Sequence, residues 1–144
     1  MPYTCPICTL WPSSHSLVKM SETDEIVYYY TCPSQAIMYS DVKGIINHYD
    51  GVLSEIPEKK EWIWIVDSEG FGVTHAMQTN VAIELAHLIS NKFSKNLNKV
   101  IIINPTFYIR IIYNIVTPFF NQKLKDRIEI NYEAKTADIL NYVP

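Results

Sequence analysis

The residues best equipped for chemistry lie near the start of the chain. Cys5 and Cys8 form a Cys-Pro-Ile-Cys pair, with His15 and Cys32 further on. Thiolates and imidazoles are the ligands zinc takes in a closed tetrahedral site, so these four residues could supply one. A zinc module read from sequence usually carries a second closely spaced pair; none is present, and no metal site is expected. A redox Cys-x-x-Cys opens a helix after a strand, and Pro6 in a stretch without strand period is a poor context for one. Three cysteines, sparse and odd in number, do not make a disulfide framework.

The remaining reactive side chains read more simply as structure. Asp67 and Glu69 could form a carboxylate pair for acid–base work, but at a strand end before two glycines they read as caps of a loop and of the helix after it. His75 and His87 have no Cys, Ser or acid at suggestive spacing and read as surface or capping residues. Gly70 and Gly72 lack the order of a phosphate-binding loop. Trp62 and Trp64 share one face of a strand, which suits core packing better than nucleotide stacking. No catalytic residue is assigned, and no enzyme is expected.

These residues must be positioned by a single domain, since 144 residues support one sizeable core. Residues 1–24, with Pro2, Pro6 and Pro12, read as an irregular leader. Strands are expected over 25–32 (EIVYYYTC), 61–67 (EWIWIVD), 99–104 (KVIIIN) and 127–132 (RIEINY). Helices are expected from Ser40 or Asp41 to about Glu55, from about Ala76 to Phe93, from Thr106 to Thr117 where Pro118 ends or kinks it, and from Ala134 to Tyr142. The continuous apolar runs at 61–67 and 99–104 suit strands buried on both faces. Alternation of strands and helices predicts an α/β fold with a mainly parallel sheet of four to five strands covered by helices.

Charge is unevenly spread. Residues 92–127 carry seven basic groups against one acid, Asp126, while residues 1–91 carry four basic groups and eleven acids. The basic stretch reads either as a solvated face or as a docking surface for an anionic membrane. A sequence pI near 5.8 gives no case for nucleic-acid binding. The longest apolar stretch, 100–120, is interrupted by Asn104, Pro105, Arg110, Asn114 and Pro118, which argues against a membrane-spanning helix. No secretory signal is read at the N-terminus, so a cytoplasmic protein, peripheral to membranes, is expected.

The helix over 107–116 (FYIRIIYNIV) is apolar around most of its circumference, with only Arg110 and Asn114 strongly polar. A helix covering one side of a small sheet needs one apolar face; a second must meet more protein, a bound lipid or a membrane. An ordinary buried helix or a dimer interface would read the same way. Phe119 and Phe120 after Pro118, followed by Lys123, Lys125 and Arg127, have the form of an interfacial anchor with basic flanks.

In order along the chain, four segments resemble the CRAL-TRIO lipid-binding domain family. They are WIWIVDSEGFG (62–72), NKFSKNLNKVIIIN (91–104), NPTFYIRIIYNIVTPFF (104–120) and KLKDRIEI (123–130). The Asn-Pro-Thr-Phe form at 104–107 is similar to the family's BCH branch. The resemblance implies a minimal domain over 25–144 with an apolar pocket between the sheet and a gate helix. It further implies non-catalytic binding, and transfer or sensing, of one hydrophobic ligand, a phospholipid or phosphoinositide, with no other cofactor. Without the family's helical N-terminal lobe and closing segment, the pocket is expected to be shallower or more open. The implied gate residues are Phe107, Ile111, Ile112, Ile115, Phe119 and Phe120. Lys95, Arg110, Lys123 and Arg127 are the implied partners of a headgroup or membrane phosphate. In phosphatidylinositol-binding members an acid occupies the turn position held here by Lys95, so two cations would favour a more anionic headgroup; Lys95 as a solvated turn residue is the alternative. The BCH likeness carries a second reading, a scaffold module that homodimerises or binds a protein partner such as a small-GTPase regulator.

Overall fold

The computed structural model describes residues 3–10 and 14–131. Five strands form one sheet in chain order: β1 (Leu17–Glu22), β2 (Ile26–Thr31), β3 (Glu61–Asp67), β4 (Leu97–Ile103) and β5 (Ile128–Ile130). β1 runs antiparallel to β2, and the other three pairings are parallel. Between them lie α2 (Val42–Leu53), the short α3 (Val73–Ala76), α4 (Thr79–Leu88), α5 (Phe107–Val116) and α6 (Gln122–Arg127), with α1 (Pro6–Leu10) ahead of β1. The α/β class and the mainly parallel sheet stand as read from the alternation of elements.

Parallel neighbours in chain order, joined by right-handed crossovers, bring their helices to one side of the sheet. The strand pleat divides the core accordingly. Val27, Tyr29, Trp62, Trp64, Val66, Val100 and Ile102 pack with the helices. Ile65, Ile101 and Ile103 form a separate apolar cluster with Tyr30 and Ile63. Register sets Tyr29 beside Trp64 and Trp64 beside Val100, so the helix face is a continuous aromatic and aliphatic floor. Trp62 and Trp64 are core residues of that floor. Trp62 also donates from Nε1 to the Phe93 carbonyl at 2.9 Å.

The leader read as irregular over 1–24 contains α1 and β1. β1 escaped notice because it is an edge strand with one buried residue, Leu17, and a register shift between Lys19 and Ser21 that breaks the alternation. Lys19 and Glu22 pair across its exposed side, charging an edge that would otherwise be open to another strand. The single helix expected over 76–93 is α4 followed by a π-helical turn, with the short α3 just ahead of it. Gly72 donates to His75 Nδ1 and caps α3, α4 restarts after Gln78, and a π-helical turn closes the run at Ile89–Phe93. That widened turn lets both Ile89 and Phe93 enter the core. α6 was missed because its six residues present only Leu124 to the interior. The helix expected over 134–142 lies outside the described residues.

Candidate functional site: an apolar pocket beneath helix α5

The floor of the pocket is the helix face of the sheet, with Trp64, Val66, Val100 and Ile102 uppermost. α4 supplies one wall through Val81 and Leu85, and α5 forms the roof. The pocket volume is about 140 Å³. Pockets that enclose a small-molecule ligand run to about 300–1,000 Å³, so an occupant larger than a few carbon atoms must displace part of the roof.

Three polar side chains of the wall pair among themselves. Trp64 Nε1 donates to Thr31 Oγ1 at 3.0 Å, and Thr31 Oγ1 lies 3.0 Å from the Tyr49 hydroxyl. Burial pushes the Tyr39 phenol up to about 12 and the fully enclosed Tyr49 phenol well above its ordinary value. Both rings are neutral wall elements. A lining that is mostly hydrocarbon selects apolar matter.

α5 begins at Thr106, whose hydroxyl accepts from Ile109 N and donates to the Phe71 carbonyl at 2.8 Å. That one side chain caps the helix and ties it to the loop after β3. Asn104, immediately before, has φ of 49°, a left-handed conformation that asparagine tolerates better than most residues. At the other end a 3-10 turn, Thr117–Phe119, carries Pro118. Asn121 then clamps the chain to the π-helical turn, donating from Nδ2 to Ser90 O at 2.8 Å and to Ser94 Oγ at 2.9 Å.

The six implied gate residues divide between two faces. Ile112 and Phe120 line the pocket. Phe107, Ile111, Ile115 and Phe119 lie on the outside, at 69%, 37%, 40% and 39% exposure. Spaced four apart, they form an outer apolar stripe. The inner face of the roof is Ile109, Ile112, Tyr113 and Val116; Ile109, Tyr113 and Val116 were not singled out from the sequence, although their 3–4 spacing with Ile112 was available as a signal.

None of the four implied headgroup cations lines the pocket; all are exposed. Lys95, Lys123 and Arg127 gather near the start of β4, where Lys123 Nζ donates to Lys95 O and Arg127 donates to Asn98 O at 3.3 Å. Leu124, between these cations on α6, is buried and lines the pocket, so this basic group stands just outside the pocket wall. Arg110 sits apart from them, in the first turn of α5 beyond the other end of β4.

Among the other reactive residues, Asp67 caps the loop after β3, whereas the helix after that loop is capped at Gly72 and not by Asp67 or Glu69. The Asp67 carboxylate accepts from Tyr30 OH at 2.7 Å, Asn104 Nδ2 at 2.9 Å and Glu69 N at 3.0 Å. The Cys32 thiol does not join Cys5, Cys8 and His15; it faces Ser34 and the Glu69 carbonyl just after β2. His48 of α2, thirty-three residues beyond His15 and outside any short motif, stands there instead.

A sequence model of the CRAL/TRIO domain matches residues 6–144. Among solved structures, the crystal structure of Sfh5 superposes with a TM-score of 0.70 at 10% sequence identity. That match covers 93% of this chain and 51% of the Sfh5 chain, so the chain spans about half the length of that protein. At this identity the likeness shows the fold. The family match supports lipid binding or transfer in general.

Proposed function

Because the chain belongs to the CRAL/TRIO domain family, we propose that it holds one lipid molecule, a phospholipid or phosphoinositide, beneath α5 and exchanges it at a membrane surface without catalysing a reaction. The observation that carries this reading is the apolar pocket roofed by a helix that is apolar on both its inner and outer faces. The inner face covers the hydrocarbon of the ligand. Each CH₂ group buried contributes about 0.8 kcal/mol, so part of one acyl chain suffices for tight holding. The outer stripe enters the membrane interface when the roof opens, and the basic group around α6 meets anionic phosphates. The turn at Asn104–Thr106 and the Asn121 clamp are the two ends about which α5 moves. Lys95 and Arg127 together favour a headgroup more anionic than phosphatidylinositol. On this reading the protein is cytoplasmic and peripheral to membranes.

Native mass spectrometry of the purified chain, followed by extraction and identification of any lipid, tests the proposal. One lipid per chain, or uptake of one from mixed anionic vesicles, is expected. A mass without lipid from several expression hosts, together with no uptake from vesicles, would sink it. A concentration-dependent dimer under those conditions would favour the BCH-type reading, in which the same outer stripe, Phe107, Ile111 and Ile115, meets a second copy or another protein.

A further inference from the structure

We infer that Cys5, Cys8, His15 and His48 form a structural zinc site that fastens the N-terminal segment to helix α2. The four ligand atoms lie within 4.8 Å of one another, and Cys5, His15 and His48 are buried. Cys5 Sγ is 3.5 Å from His15 Nδ1, Cys8 Sγ is 3.6 Å from the same nitrogen, and Cys8 Sγ is 3.7 Å from His48 Nδ1. Zinc–sulfur bonds of about 2.3 Å and zinc–nitrogen bonds of about 2.0–2.1 Å, at tetrahedral angles, separate sulfur from nitrogen by about 3.6 Å. These three sulfur–nitrogen separations match edges of a zinc tetrahedron.

The outer nitrogens of both rings are already committed. His15 Nε2 donates to Asp41 Oδ2 at 3.0 Å, and His48 Nε2 donates to the Leu17 carbonyl at 2.9 Å. With the proton held on Nε2, each ring turns the lone pair of Nδ1 toward the two sulfurs. Carboxylate and backbone carbonyl are the acceptors that orient metal-bound histidines. The same Asp41 caps α2, its Oδ1 accepting from Gly44 N at 3.1 Å. Without a metal, the buried Cys5 thiol and the half-buried Cys8 thiol would face the two Nδ1 atoms with only weak S–H donors between them.

Four protein ligands leave no open position, so the site is structural and not catalytic. Its placement says what it braces. α1 contributes Cys8, the segment leading into β1 contributes His15, and α2 contributes His48. Two glycines on α2 make room: a Cβ on Gly44 would meet Asp41 and His15, and one on Gly51 would meet the Tyr3 ring. His15 also lines the lipid pocket, so the metal stiffens part of the pocket wall.

The test uses the full 144-residue chain purified under reducing conditions, with zinc measured by elemental analysis. One zinc per chain is expected, lost in Cys8→Ser and in His48→Ala and retained in Cys32→Ser. Cobalt(II) added to metal-free protein is expected to produce the visible bands of a tetrahedral site together with thiolate charge transfer, a readout that needs no variant to fold. Asp41→Asn keeps a good N-cap while removing the charge beside His15, and is expected to weaken zinc binding about 10–100-fold. A reduced wild-type protein that carries no zinc and takes up neither zinc nor cobalt(II) would overturn the inference. Loss of metal in Cys32→Ser with retention in Cys8→Ser would do the same.

Discussion

Gly44 shows how much can hang on one hydrogen atom. It is the third residue of α2, where its N–H donates to the Asp41 cap and where alanine is ordinarily the better helix former. A Cβ at this position would lie 1.9 Å from Asp41 Oδ2 and 2.7 Å from His15 Nε2. Gly44→Ala is therefore expected to destabilise despite its better helix propensity, by a net of about 1–2 kcal/mol, read as a fall of roughly 3–6 °C in Tm. A rise in Tm would show that the leader does not pack against α2 as described. Glu22 offers a test by pH. Lys19 and Lys60 hold its carboxyl down to about 2, against an ordinary value of 4.5. A lowered carboxyl stabilises the fold fully above its ordinary value and loses that contribution as pH falls toward 2. Glu22→Gln should lower Tm slightly at pH 7, and the gap should close between pH 4.5 and 2. A gap independent of pH would refute the pairing.

Helix α5 is the element on which the membrane proposal turns. Its inner residues Ile112 and Val116 are buried, while Phe107, the most exposed of the outer stripe, is 69% accessible. Placing one such ring in the membrane interface contributes about 2 kcal/mol, or about 30-fold in partitioning. Phe107→Asp combined with Ile111→Asp is expected to reduce sedimentation with anionic vesicles by at least that factor while leaving the circular dichroism spectrum unchanged. Undiminished vesicle binding would detach the stripe from docking. Phe120 is unsuited to the same experiment, because it packs on Tyr113 and lines the pocket, so charge there would injure the core.

At the scale of the molecule, the described helices and the mainly parallel sheet enclose a pocket of about 140 Å³. Filling it separates holding a ligand from folding. Ala82 on α4 lines the pocket, and Ala82→Leu adds apolar volume where space exists. The variant is expected to keep or raise Tm and to take up less lipid from vesicles. Uptake at the wild-type level would place the ligand elsewhere. Among the described residues no helix is long and apolar enough to cross a membrane. Membrane contact on this proposal rests on the α5 stripe and the basic group around α6.

Local physics along the chain was sufficient for β3, α2 and α5. The run 61–67 is β3 residue for residue, Asp41 caps α2, and Thr106 with Pro118 bounds α5. These are short-range effects of apolar runs, capping side chains and a missing N–H, and they are written in neighbouring residues. The pocket-facing half of α5 was legible in the 3–4 spacing of its residues, but which half faces inward depends on where the sheet lies. β1 was invisible because an edge strand with one buried residue is specified by its partner β2 more than by its own pattern. The Cys/His cluster needed tertiary structure most. Cys5, Cys8 and His15 could be grouped from sequence, but Cys32 was the wrong fourth member: its backbone bonds Ser16, next to His15, while its thiol turns toward Ser34. His48 reaches the cluster only because α2 packs beside the leader, and such proximity between distant segments is set by burial of the whole core, which no local pattern encodes.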